Sequence, residues 1–273
     1  MRQKEQYALM TDFRWELLET GPADAEKTVL LLPGGMCGAG SYAEVMAEPA
    51  LVGMRLVAAT LPGHAGAPPP DDYSIENYAR LATALAKQTG ACVVVGFSMG
   101  ASVALEMVTS GEFVGPVVLL GISLSPSDEA AVFRAIVKLG SVLGGLPSAV
   151  LAKGAASMVK RIPASTERRN ELRDELRRNV PQHVRRALRE YMRWLHKHDD
   201  PAERLCGAAV PTWVMHAEKG DGGLTDRERQ TLEACAQVRL VTIPGAVFFL
   251  PNEVPARIAD CIVEAVGQVS SVA

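Results

Sequence analysis

The chain has 273 residues, of which 48% are hydrophobic and 22% are charged, and its formal net charge at pH 7 is −3. This is an ordinary globular composition, and it does not favour nucleic acid or an anionic membrane surface as a partner. No apolar run reaches the roughly 18 residues that a membrane span needs, and the first residues lack the apolar core of a signal peptide. We therefore expect a cytoplasmic protein with one sizeable α/β domain, alone or with an insertion.

The cysteines show no pattern that suggests a cross-link or a metal. They are odd in number, widely spread and without metal-type spacing: Cys37, Cys92, Cys206, Cys235 and Cys261. This argues against a disulfide framework and a zinc site, so we expect mostly buried thiols. Cys37 lies in a glycine-rich loop, where a second nucleophile and a filler thiol are both open interpretations. No histidine or acidic cluster has ligand spacing, so neither a metal nor an organic cofactor is expected.

The first half of the chain alternates apolar strands with helical segments. Residues 7–10 and 13–18 predict a hairpin at the sheet edge, because the second stretch alternates apolar and charged side chains. Further strands are predicted at 29–32, 55–61, 91–97 and 117–122, with helices at 41–47 and between Ser74 and Gly90. Strands that alternate with helices in this way indicate a mainly parallel sheet with helices on both faces.

The pattern changes after residue 123. Residues 124–206 show helical patterns and no convincing strand, which predicts an insertion into a core formed by residues 1–123 and 207–273. Its second half, 166–198, is amphipathic and basic, and one helical stripe carries Val184, Leu188, Tyr191 and Leu195. Acidic residues lie within helical pairing distance of its arginines, so we expect a solvated, salt-bridged face rather than a site for an acidic substrate.

The sheet pattern returns after the insertion. Residues 211–217 and 239–243 predict two further strands, and the segments around 226–235 and 254–266 predict helices. The insertion therefore interrupts one α/β domain rather than joining two.

One strand runs into a helix through a motif that carries chemistry. Three valines at 93–95 lead into Gly-Phe-Ser-Met-Gly at 96–100, and helix-compatible residues follow. Such a turn holds its serine in a strained conformation and lifts the hydroxyl above the carboxyl edge of a parallel sheet. Ser98 is therefore the candidate nucleophile. The alternative is a tight strand-to-helix connection with a serine cap.

Four stretches together resemble the alpha/beta hydrolase family, over nearly the full length outside the insertion. They are Gly96-Phe97-Ser98-Met99-Gly100, Leu31-Leu32-Pro33-Gly34-Gly35, Leu61-Pro62-Gly63-His64 and residues 211–221. The resemblance implies the α/β-hydrolase fold, with a mainly parallel central sheet flanked by helices and residues 124–206 as a helical cap that roofs the site. It also implies an oxyanion hole made by the backbone N–H groups of Gly35 and Met99.

The resemblance also assigns an acid and exposes a missing base. Asp221 matches the acid that orients the base, although one extra residue in the register leaves Glu218 and Asp226 as alternatives. The family's histidine belongs in the loop after the last strand, where this chain has Val247 or, in another register, Phe248. Neither side chain accepts a proton. The histidines elsewhere are His64, a possible substitute base or a structural residue, His183, His196 and His198 in the insertion, and His216 at a strand end.

Three functional hypotheses follow. The first is a serine hydrolase of esters, lactones or thioesters of a small to medium apolar molecule, with an impaired or atypical base. The second is a non-hydrolytic family member, either a ligand-binding protein or a cyclase or lyase that uses the capped pocket. The third is an active-site variant in which Val247 replaces the histidine. All three expect an apolar small-molecule ligand under a roof formed by residues 129–151, and none indicates an oligomeric state.

Overall fold

The computed structural model of the protein describes residues 13–129, 159–160, 162–198, 200–218 and 223–269, together with the backbone of residues 5–10. Eight strands form one sheet: β1 (Glu5–Met10), β2 (Phe13–Thr20), β3 (Thr28–Leu32), β4 (Arg55–Ala59), β5 (Ala91–Phe97), β6 (Val117–Leu120), β7 (Thr212–Ala217) and β8 (Val238–Ile243). Their order across the sheet is β1-β2-β4-β3-β5-β6-β7-β8.

The sheet is parallel except at one edge. β1 and β2 form the predicted edge hairpin, and β2 pairs antiparallel with β4. All other neighbours are parallel, with β5 between β3 and β6. Every residue of β3 and β6 is buried, as expected for parallel strands covered by helices. The parallel strands end at a common edge of the sheet, and the loops that leave that edge form the candidate site.

Nine helices accompany the sheet in the described ranges. They are α1 (Ala43–Met46), α2 (Ile75–Thr89), α3 (Met99–Thr109), α4 (Thr166–Arg177), α5 (Pro181–Lys197), α6 (Pro201–Gly207), α7 (Asp226–Glu233), α8 (Leu250–Glu253) and α9 (Pro255–Val269). Capping residues set the limits of α2. Ser74 Oγ accepts a hydrogen bond from the Asn77 N–H, and Gly90 ends the helix with a φ of 69°. Helices α3 and α9 both pack on β5 and β6.

Between β6 and β7 the described residues form helices and no strand. The predicted stripe of Val184, Leu188, Tyr191 and Leu195 is buried, which confirms the amphipathic reading of this segment. The basic stretch is two helices rather than one, because Pro181 begins α5. Trp194 on α5 donates to the Glu106 carboxylate on α3 at 3.0 Å. The limits 124 and 206 of the insertion stay a prediction.

The structure corrects the expectation that the cysteines form no disulfide. Cys206 and Cys235 form a disulfide with their Cα atoms 5.8 Å apart. The bond links α6 to the second residue after the end of α7, and Cys37, Cys92 and Cys261 remain free. The sequence separation of 29 carries no spacing signature, because the packing of two helices brings the partners together. None of the described helices combines the length and apolar character that crossing a membrane requires.

Candidate active site

Ser98 lies at the sharp turn between β5 and α3. Its φ of 50° and ψ of −118° are a strained conformation for a residue with a side chain. The Ser98 N–H donates to the Leu120 carbonyl at 2.8 Å, and the Ser98 carbonyl accepts from the Ala101 N–H at 2.8 Å. The turn is therefore held from the sheet on one side and from the helix on the other, so the strained serine cannot relax without breaking both.

The two glycines of the motif allow the backbones to pack directly. A Cβ on Gly96 would lie 2.3 Å from the Gly100 carbonyl oxygen, and a Cβ on Gly100 would lie 2.2 Å from the Leu32 carbonyl oxygen. Real Cβ atoms do not approach backbone oxygens this closely. The start of α3 therefore touches the main chain of β3 and β5, which fixes the position of Ser98 above the sheet.

The loop after β3 lies directly against this turn. A Cβ on Gly34 would be 3.3 Å from the Ser98 Cβ, and a Cβ on Gly35 would be 3.2 Å from the Met99 Cε. Met99 is the first residue of α3, so its N–H has no partner inside the helix. Within the described part of the chain, no acceptor binds the N–H of Gly35 or of Met99. The two N–H groups expected to form the oxyanion hole thus belong to a loop and a turn that pack against each other, and neither has an acceptor among the described residues.

His64, the predicted substitute base, supports this loop instead of contacting Ser98. It is completely buried, and its Nδ1 accepts a hydrogen bond from the Met36 N–H at 2.9 Å. Its Nε2 lies 3.5 Å from the Tyr78 hydroxyl. Burial, with a smaller effect of His183, lowers the pKa of His64 to about 4. These contacts favour the structural interpretation of His64 over the role of a base.

Three further histidines lie on or beside α5. His183 stacks on Tyr73 with the ring planes 15° apart and shares a hydrogen bond with its hydroxyl. His196 is exposed, and its Nδ1 lies 2.6 Å from a carbonyl oxygen one turn earlier in α5. His198 packs edge-on against the Trp194 ring. None of the three contacts the turn at Ser98.

His216, at the end of β7, does not contact the serine either. The side chain is buried, and burial lowers its pKa to about 4. Its electrostatic neighbours are Arg229 and Glu228, both on α7. In the parts of the chain that the structure describes, no imidazole is hydrogen-bonded to Ser98.

The loop after β8 reaches the site where the resemblance expects its histidine. The Phe248 ring packs edge-on against Phe97, the residue before Ser98, with 5.4 Å between centroids. The Glu253 carboxylate accepts the N–H groups of Val247, Phe248 and Phe249 at 2.7 to 2.9 Å. The backbone of this loop is thus fully supported. Its side chains at the site are aliphatic and aromatic.

The predicted acid, Asp221, lies outside the described residues. Of the alternatives, Glu218 is exposed and accepts the Gly245 N–H at 2.8 Å, which ties the loop after β7 to the loop after β8. Asp226 is exposed in the first turn of α7. Neither alternative has a contact that would single it out as the acid.

A buried carboxyl pair near the end of β7 escaped the sequence reasoning. Asp128 and Glu228 are 2% and 8% exposed. Asp128 accepts the Leu124 and Ser125 N–H groups at 2.7 and 2.8 Å, while Glu228 accepts the Thr225 N–H at 2.8 Å. Burial, reinforced by the neighbouring Glu228, raises the pKa of Asp128 to about 7. The signal was present as two capping boxes, Ser-x-x-Asp at 125–128 and Thr-x-x-Glu at 225–228.

The surroundings of Cys37 do not favour a role as a second nucleophile. Burial and the nearby Glu175 carboxylate raise the pKa of Cys37 to about 12, so the thiol stays protonated at neutral pH. Because the thiolate is the reactive form, this favours the filler-thiol interpretation. Among the described residues, no group of three or more His, Cys, Asp or Glu side chains is arranged to hold a metal ion.

Known proteins resemble this chain mainly in fold. No curated protein sequence matches it significantly. A thioesterase domain from the curacin biosynthetic pathway is similar with a TM-score of 0.72 at 18% identity, covering 96% of this chain and 100% of that one. A thermophilic esterase from Thermogutta terrifontis reaches 0.71 at 19% identity, covering 98% and 99%. An N-acyl homoserine lactonase reaches 0.72 at 18% identity, covering 98% of both chains.

A family model carries the assignment further than these distant structures do. The model of the Alpha/beta hydrolase family matches residues 29–260, which run from β3 into α9. That range includes the turn at Ser98, the loop at Gly35 and the loop after β8. The chain therefore belongs to the alpha/beta hydrolase family.

Proposed function

We propose that the protein is a serine hydrolase that cleaves an ester, lactone or thioester of a small to medium apolar molecule, with Ser98 as its nucleophile. The observation that carries the proposal is the strained Ser98 in a turn on which the loop of Gly35 packs, with no acceptor among the described residues for the N–H of Gly35 or of Met99. In this mechanism the hydroxyl attacks the acyl carbon, and the carbonyl oxygen becomes an oxyanion that accepts hydrogen bonds from both N–H groups.

The base in this mechanism is atypical. A hydroxyl is a weak nucleophile until a base takes its proton, and Val247 and Phe248 supply none. In our proposal Asp221 orients the base, and a water takes the place of the imidazole. Because water is a poor base, we expect slow turnover. Disabled triads retain roughly 10³- to 10⁴-fold catalysis over water through the oxyanion hole and substrate binding.

The substrate class rests on the surroundings of Ser98. Phe97, Met99 and Phe248 provide apolar surface next to the turn, and the predicted roof at 129–151 is apolar in sequence. The similar structures include a thioesterase, an esterase and a lactonase, names that denote cleavage of three kinds of acyl bond. These features support an acyl substrate with an apolar body.

Labelling with a fluorophosphonate tests the proposal directly. The reagent should modify the protein at Ser98, and the Ser98→Ala variant should not be labelled. Ser110→Ala, at the far end of α3, is the matched control and should be labelled like the wild type. The wild type should also hydrolyse a p-nitrophenyl ester slowly. Absence of labelling at high reagent excess would contradict the proposal.

A second candidate is a non-hydrolytic member of the family that binds an apolar molecule or acts as a cyclase or lyase. The loop after β8 favours it, because Glu253 fixes the backbone there and Phe248 closes against Phe97 without offering a proton acceptor. This candidate expects binding of an apolar ligand that the Ser98→Ala variant retains. Stoichiometric labelling of Ser98 together with ester turnover would exclude it.

A further inference from the structure

Three polar side chains from α4 and the residues just after it bind the backbone of the loop that carries Gly35. We call them the α4 clamp: Arg168, Glu175 and Asn179. They contact alternate loop residues, Gly40, Gly38 and Met36 respectively. We propose that the α4 clamp consists of positioning residues that hold the N–H of Gly35 toward Ser98. The proposal rests on the proposed function, since it assigns these residues to the same oxyanion hole.

Asn179 is the central member of the clamp. Its Nδ2 donates to the Met36 carbonyl at 2.7 Å, and its Oδ1 accepts from the Ala65 N–H at 2.9 Å. Met36 and Ala65 are non-glycine residues with positive φ, 69° and 46°. Such conformations persist only where the surroundings hold them. One amide therefore supports two strained residues, one next to Gly35 and the other next to His64.

Met36 is held from its other side as well. Its N–H donates to His64 Nδ1 at 2.9 Å, so both polar groups of its backbone are bound, one by His64 and one by Asn179. Met36 directly follows Gly35, and fixing it restricts the rotation of the glycine. The orientation of the Gly35 N–H thus depends on a side chain that lies outside the sheet.

Glu175 and Arg168 secure the rest of the loop. Glu175 accepts the Gly38 N–H at 3.2 Å, and its Oε1 occupies the space beside Gly40, where a Cβ would lie only 2.1 Å away. Arg168 donates to the Gly40 carbonyl at 2.5 Å and pairs with Glu44 on α1 at 2.6 Å. Residues 168 and 175 are two turns apart and share a face of α4.

The clamp revises the sequence-based view of this basic segment. Arg177 and Arg193 are salt-bridged on the surface, as predicted, with Asp174 and Glu190 as their partners. Arg168 contacts Glu171 on its own helix, and it also binds the Gly40 carbonyl in the loop and Glu44 on α1. This difference marks the inner face of α4 as part of the site's support.

The test compares Asn179→Ala with Asn170→Ala, a matched control on the exposed face of α4 whose amide oxygen accepts from Arg173. We expect Asn179→Ala to lower the rate of fluorophosphonate labelling and the kcat for a p-nitrophenyl ester by about tenfold, because the donor is misplaced in the transition state. KM should stay within about twofold, because the clamp does not touch the substrate. Asn170→Ala should match the wild type.

Asn179 Nδ2 also donates to the Leu176 carbonyl at 3.0 Å, and a second variant separates the acceptor contact of Asn179 from its donor contacts. Asn179→Asp keeps an acceptor for the Ala65 N–H and loses the donor to the Met36 and Leu176 carbonyls. It should therefore lower the labelling rate as Asn179→Ala does, while the Ala65 amide stays protected from hydrogen exchange. Circular dichroism establishes that each variant is folded. Labelling of both variants at the rate of Asn170→Ala would overturn the proposal.

Amide hydrogen exchange gives a readout that does not depend on catalysis. The Ala65 and Met36 amides should exchange at least about tenfold faster in Asn179→Ala than in the control. If the wild type itself does not label, the proposed function has failed, and this comparison alone decides the clamp. Faster exchange then supports the clamp, and unchanged exchange overturns it.

Discussion

Two loops at the same edge of the sheet meet at Ser98 and are built in opposite ways. The turn after β5 is fixed by backbone contacts, since Gly96 and Gly100 leave no room for a side chain, and it presents a polar hydroxyl. The loop after β8 is fixed by one carboxylate, that of Glu253, and presents apolar side chains. The turn after β5 thus presents a group that can act as a nucleophile, and the described side chains of the loop after β8 at this site offer no proton acceptor.

This contrast shows how much of a catalytic site is carried by the backbone. The strained serine and the two N–H groups belong to the main chain, and they follow from glycine positions and from the start of a helix. A base is a single side chain, so in our proposal one residue, Val247, separates this site from a complete triad.

The largest effect on stability is expected from an alanine in the turn after β5. An alanine in the loop after β8 should have a far smaller effect. In Gly100→Ala the new Cβ would lie 2.2 Å from the Leu32 oxygen, so we expect a loss of at least about 4 kcal/mol in the free energy of unfolding. Gly245→Ala meets no atom within 4 Å and strains only a φ of 76°, which should cost about 1 kcal/mol. Urea denaturation measures both. Equal losses would contradict the contrast.

Restoring the base should sharpen the comparison next. In Val247→His the imidazole would stand on a loop whose backbone is already supported, so we expect a gain of about 100- to 10,000-fold in kcat/KM for a p-nitrophenyl ester. Val52→His, at a valine that is 84% exposed, is the matched control and should give no gain. The gain should disappear when Ser98→Ala is added. No gain at all would mean that the site differs from a triad in more than its histidine.

The smallest effect on stability is expected from the buried pair of Asp128, which follows β6, and Glu228 on α7. The pKa of Asp128 is raised from 3.8 to about 7, so the folded state binds its proton more tightly. The stability that this proton gives is complete below pH 4 and is lost as the pH rises through 7. Asp128→Asn keeps the acceptor for the Leu124 N–H and adds a permanent donor toward Glu228.

We therefore expect the free energy of unfolding of Asp128→Asn to depend less on pH than that of the wild type. Relative to the wild type, the variant should become more stable by about 2 kcal/mol when the pH rises from 5 to 8. Urea denaturation at the two pH values measures the difference, which cancels the pH effects that both proteins share. Asp174→Asn, at an exposed residue paired with Arg177, serves as the control and should follow the wild type. A parallel pH dependence in wild type and Asp128→Asn would show that the pair shares no proton.

The sequence predicted those features whose cause is local. Alternating side chains indicated the β1–β2 hairpin, the Ser74 cap and Gly90 bounded α2, and the valine run with its glycines gave β5, the turn and α3. Each depends on residues within a few positions of one another, where steric and capping rules act directly.

The features that escaped depend on contacts between distant residues. Arg168 and Arg177 both have acidic neighbours at helical spacing, yet Arg168 also binds Glu44, 124 residues away. The disulfide of Cys206 and Cys235 likewise needs α6 to pack beside α7, and the proximity of Asp128 to Glu228 needs the segment after β6 to meet α7. Sequence spacing supplies the candidates for such contacts, and only the packing of the elements selects among them.

Gly40 and Glu175 illustrate a consequence for how sequences of this kind can vary. The carboxylate occupies the volume that a side chain at position 40 would need, so an alanine there has to displace the end of Glu175. A displaced carboxylate no longer accepts the Gly38 N–H. Among homologues, a glutamate at position 175 should therefore occur mainly together with a glycine at position 40.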